Sequence, residues 1–147
     1  MRTSLFVLVS LMLFCGTAVA GLDDFLSSLN IQARADLPGF SAKVSAQFGV
    51  PVPQVQTVIQ SVREPADAFM VFQLGQMSRQ PTDVVVQTYK AKHGAGWGVM
   101  AKELGIKPGS AEFHALKRGE FALTGTPGGD EPRGKGKGKG KGKGHNK

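Results

Sequence analysis

Apolar residues recur along most of this chain at intervals of three, four and seven, the spacing that collects side chains on one face of an α-helix. Leu22, Phe25, Leu26 and Leu29 form the first stripe, and Asp23 and Asp24 sit where acidic side chains suit the positive end of a helix. Leu37, Phe40, Val44 and Phe48 form a second stripe, stopped by Gly49 and Pro51. Val55, Val58, Ile59 and Val62 form a third, with Pro53 at the first helical position. Their β-branched side chains would suit a strand, but the spacing is not the alternation a strand requires.

Two further helix starts share one local pattern. Pro65-Ala66-Asp67 and Pro81-Thr82-Asp83 each place proline at N1 and an acid at N3, where the unpaired backbone N–H groups favour it. The first of these helices is expected to carry Phe69, Met70, Leu74 and Met77 inward, and the second Val84, Val85, Thr88 and Tyr89. After Gly94-Ala95-Gly96, the residues Trp97, Met100, Ala101 and Leu104 repeat the helical spacing and end at Gly105. Ser110 reads as the N-cap of a last helix holding Phe113 and Leu116 and ending at Gly119. Short connections between short helices predict an all-α fold, a compact bundle of about six or seven helices.

The two ends of the chain follow different rules. Residues 1–20 read as a signal peptide: Arg2 supplies the positive n-region, residues 5–14 an apolar run, and Ala18-Val19-Ala20 the small residues of a cleavage site. The run is about half the roughly 20 residues that a membrane-spanning helix needs. The expected location is therefore exported, periplasmic or secreted. Leu13-Phe14-Cys15-Gly16 loosely resembles a lipoprotein signal, but the bulky Phe14 stands where such signals carry a small residue. Cleavage after Ala20 also removes the single cysteine, and with it any disulfide, thiol nucleophile or cysteine-based zinc site.

Charge then separates the body from the C-terminus. Net charge is +7, yet residues 21–132 contain ten basic and eleven acidic side chains, so the body is close to neutral. Arg133, Lys135, Lys137, Lys139, Lys141, Lys143 and Lys147 make up the rest, and residues 134–144 alternate strictly between glycine and lysine. With no large apolar residue after Leu123, such a segment has nothing to offset the entropy of ordering, and its like charges repel. The expected division is a helical domain over residues 21–123 and a disordered cationic tail over residues 124–147. A polycation of this kind associates with anionic polymers or lipid headgroups by releasing their counterions. The competing reading is a solubilising tail without a partner.

Residues 97–118 carry the most specific pattern in the body. Met100-Ala101-Lys102-Glu103-Leu104-Gly105-Ile106, a short turn and a second helix have the layout of a helix-turn-helix, in which alanine and glycine allow close crossing. A nucleic-acid-binding protein is accordingly the alternative reading. An exported chain does not meet the chromosome, however, and Phe113 and Leu116 are expected to face a core, which disfavours sequence-specific DNA as a partner. The segment Gly96-Trp97-Gly98-Val99-Met100-Ala101-Lys102-Glu103-Leu104-Gly105-Ile106 also resembles one found in small exported bacterial proteins of uncharacterised function, over about residues 80–118. The resemblance implies a helical fold and export, and brings no activity with it.

Catalytic chemistry has little to build on. His93, His114 and His145 lie far apart, and none has a second histidine or acid at the spacing a metal site would use. His93 is read instead as a favourable partner for the dipole at a helix C-terminus. Trp97 is read as a core anchor rather than a stacking platform, and Tyr89 as a core residue with its hydroxyl at the rim. No nucleophile elbow, phosphate loop, zinc motif or dinucleotide fingerprint is present, so no cofactor is expected and an envelope enzyme ranks third.

Overall fold

The computed structural model describes residues 21–125, which form seven α-helices: α1 Leu22–Ala35, α2 Leu37–Phe48, α3 Val52–Ser61, α4 Pro65–Ser78, α5 Thr82–Lys92, α6 Trp97–Glu103 and α7 Ala111–Arg118. A single 3-10 turn, His93–Ala95, joins α5 to α6. Among the described residues, no helix is long and apolar enough to cross a membrane.

Local chemistry sets each boundary. Asp36 alone separates α1 from α2, and its carboxylate accepts the Gly39 N–H at 2.9 Å as the cap of α2. A Cβ at position 39 would meet that carboxylate, so any larger residue there would require the Asp36 side chain to shift. The α4 start is closed by a capping box, in which Glu64 accepts from the N3 backbone and Asp67 accepts from the Glu64 N–H. At α7, Ser110 Oγ accepts the Phe113 N–H at 3.1 Å, as the sequence suggested. Two proline starts are shifted by a residue. Pro53 is at the second helical position behind Val52, and Pro81 is the N-cap of α5 rather than its first residue.

The bundle is organised around α4. Its stretch from Ala66 to Leu74 is apolar nearly all round, and a helix of that kind is stable only when neighbours cover every side. α1, α2, α3 and α5 do so. Ala66, Ala68, Phe69, Met70, Val71 and Leu74 are all fully buried, so the burial is far wider than the single expected stripe. Phe69 is at the centre, with the rings of Phe25 and Phe48 meeting it edge-on at 5.3 and 5.4 Å.

α5 corrects one part of the expected pattern. Its inward face is Val85 and Tyr89, with Val86 packed beside them; Val84 is 36% exposed, and Thr88 turns its hydroxyl back to the Val84 carbonyl. Three consecutive valines leave the choice of stripe open in sequence. The polar anchor on Tyr89 selects it in three dimensions.

Candidate functional site

Two polar constellations tie the helices together, one where residues 122–125 lie against α2 and one at the start of α4. The first is built on Gln47 of α2. Its Nε2 donates to the Ala122 carbonyl at 2.9 Å, and its Oε1 accepts the N–H groups of Thr124 at 2.8 Å and Gly125 at 3.3 Å. Phe121 packs against Phe25 at 6.1 Å in the same segment. A Cβ on Gly125 would collide with the backbone of α2 at Lys43, so the close approach depends on glycine. The chain is thus still pinned at Thr124 and Gly125, two residues beyond the expected end of the helical domain. Removing the clasp with Gln47→Ala is expected to cost about 1 kcal/mol. Hydrogen exchange should then speed up at the amides of Thr124 and Gly125, while those of α4 keep their protection.

The tail cations Arg133, Lys135, Lys137, Lys139, Lys141, Lys143 and Lys147, together with His145, lie outside the described residues. The last described residue before them, Gly125, lies against the flank of α2.

The second constellation links α1, α4 and α5. The Tyr89 hydroxyl donates to Asp67 Oδ2 at 2.6 Å and accepts the Arg63 N–H at 3.1 Å. Asn30 Oδ1 accepts the Ala66 N–H at 2.9 Å, satisfying one of the unpaired donors at the α4 start. Arg34 pairs with Glu64 at 2.7 Å on the exposed edge of the same cluster. Burial raises the Asp67 carboxyl above its ordinary range, and the Tyr89 hydrogen bond only partly opposes it. The Tyr89 phenol is pushed up to about 12, first by burial and then by its bond to Asp67.

A cavity of about 390 Å3 opens beside this cluster, lined in part by Ser27, Asn30, Arg34, Glu64 and Asp67. Each of these last four already has a bonding partner within the protein. Among the described residues, no buried side-chain nitrogen or oxygen lacks a partner, and no three metal-binding side chains come together. The geometry is that of a clamp tying three helices together. Tyr89 is 3% exposed, with its hydroxyl inside the clamp rather than at the rim.

His93 stacks on Tyr89 at 5.1 Å, and its Nδ1 donates to the Tyr89 carbonyl at 3.1 Å, so it satisfies the end of α5. Trp97 is partly buried, its ring centroid 5.8 Å from that of Tyr89. In the helix-turn-helix-like segment, Ala101 is fully buried where α6 meets its neighbours, and Phe113 and Leu116 both face the core. The outer face of α7 exposes Glu112, His114, Lys117 and Arg118, the last of which pairs with Glu120 at 2.7 Å.

No protein-family model, curated protein or solved structure matches this chain. Sequence reading missed both constellations for the same reason. Asp67 looked like a helix-start acid, and it is one, but its second partner lies 22 residues away. Gln47 reaches partners 75 to 78 residues away, and nothing local marks it out. Asn30 left one faint trace, a polar residue next to Leu29 in the buried stripe of α1.

Proposed function

We propose that this is a non-enzymatic exported protein whose glycine-lysine tail associates electrostatically with anionic polymers, with the helical body as the folded domain that carries it. The observation that carries this reading is the separation of charge. Residues 21–125 hold ten cations against nine acids, whereas residues 126–147 hold seven against two. The body's own polar groups supply a second line of support, because the clamp and the clasp spend their hydrogen-bonding capacity on internal partners. Seven cations spaced by glycine can each meet a separate anionic group without a fixed geometry.

The test is binding of residues 21–147 to long-chain inorganic polyphosphate across a salt series. Each neutralised phosphate contributes a slope of about −0.9 on duplex DNA, so full engagement of the tail corresponds to a slope approaching about −6. Affinity should then fall on the order of a thousandfold between about 50 and 200 mM salt. Deleting residues 133–147 is expected to abolish the binding. Binding that survives the deletion and responds to base sequence in duplex DNA would instead support recognition by residues 97–118. Affinity that ignores salt rules out the electrostatic role.

A further inference from the structure

Where α2, α4 and α5 meet, a groove of about 410 Å3 opens on the surface, within the size range of small-molecule sites. Phe48, Val50 and Phe72 supply its apolar lining, and Arg79, Gln80 and Thr82 are among its polar lining residues. The lining contains one cation, Arg79, and no acid. The C-terminus of α4 and the N-terminus of α5 both border the groove, so their dipoles oppose each other and the arginine sets the sign of the local charge.

Arg79 is unusual in its backbone as well. It ends α4 in the left-handed conformation at φ 57°, a position that glycine normally fills and the sole positive-φ non-glycine residue among those described. Glycine would make the same turn without a Cβ penalty, so the turn alone gives no reason for an arginine. The side chain is exposed and makes no ion pair among the described residues.

We infer that this groove binds an aliphatic carboxylate, its chain laid along Phe48, Val50 and Phe72 and its headgroup held by Arg79. The apolar lining favours a flexible chain over a flat ring. Phe48 and Phe72 are already stacked on each other with centroids 5.7 Å apart, which leaves no slot between them for a third ring. At a volume of roughly 30 Å3 per carbon, comparable to a water molecule, a chain of about eight to ten carbons fits the space with room for its headgroup. The site is independent of the tail and of what the tail binds.

The test is a titration of isotopically labelled residues 21–147 with decanoate, followed by amide chemical shifts, with decanol as the uncharged probe. Saturating shifts are expected at Gly75, Gln80 and Thr82, with a Kd below about 1 mM. Decanol is expected to bind about tenfold more weakly, because it gives up the charge-assisted contact. Arg79→Gly separates this role from a structural one. The variant should melt at a higher temperature, since the strained turn is relieved, yet lose the preference for acid over alcohol. Shifts that do not saturate, or an Arg79→Gly protein that still prefers decanoate, would overturn the assignment.

Discussion

Phe69→Ala is expected to remove about 4 kcal/mol of stability, the largest loss of any single truncation in the body. The side chain is fully buried, and two aromatic rings, Phe25 from α1 and Phe48 from α2, close on it from different helices. Truncation therefore loses the transfer free energy of the ring, both edge-on contacts and the packing around a cavity that three helices would have to collapse together to fill. A domain of this size is stable by about 5–15 kcal/mol, so the variant keeps between about a fifth and three-quarters of its folding free energy. Urea unfolding followed by helical circular dichroism measures this directly. Phe69→Leu, which retains most of the volume, should lose about half as much. A loss below about 1 kcal/mol on truncation would mean that α4 is not the centre of the bundle.

Asp67→Ala is the second large effect, at about 3 kcal/mol. It strips Tyr89 of its acceptor and the Glu64 N–H of its cap together, leaving a buried hydroxyl and a helix start unsatisfied. Asp67→Asn should cost less than half of that, because an amide oxygen still accepts from Tyr89 and the penalty of a desolvated charge disappears. The pH dependence follows from the direction of each shift. Burial raises the Asp67 carboxyl above 3.8, so its contribution is full below that value and declines as the pH rises through the folded-state value. Asp67 thus does not drive acid unfolding. Tyr89 is raised from 10.0 to about 12, so its contribution is intact below pH 10 and is lost as the pH climbs towards 12. Thermal melts across this alkaline window should show a fall that is shallower in Tyr89→Phe, a comparison that cancels the lysine titrations common to both proteins. Equal slopes in the two proteins would show that the phenol is not protected by the clamp.

The helices were legible because each is written locally. Leu26 and Leu29, Phe40 and Val44, and Val55 and Val58 keep the helical interval, and Pro65, Ser110 and Gly119 mark ends through contacts within a few residues. The α5 register was less legible, since Val84, Val85 and Val86 satisfy two stripes equally and the deciding contact, Tyr89 to Asp67, spans two helices. The groove at Arg79 had no sequence signature. Phe48, Phe72 and Thr82 stand in three different helices, and only the left-handed turn after α4 brings an arginine beside them.

Helical class, most of the helix boundaries and the concentration of positive charge in the last residues can be read from the chain one stretch at a time, because propensity, capping and charge depend on near neighbours. Only packing in three dimensions sets which helix is central, which valine of α5 turns inward, how Gln47 holds residues 122–125 and how Asp67, Tyr89 and Asn30 meet. Those outcomes depend on burial and on hydrogen bonds between residues tens of positions apart. In such cases the energy of a side chain is set by what the fold places beside it, and no local pattern encodes that.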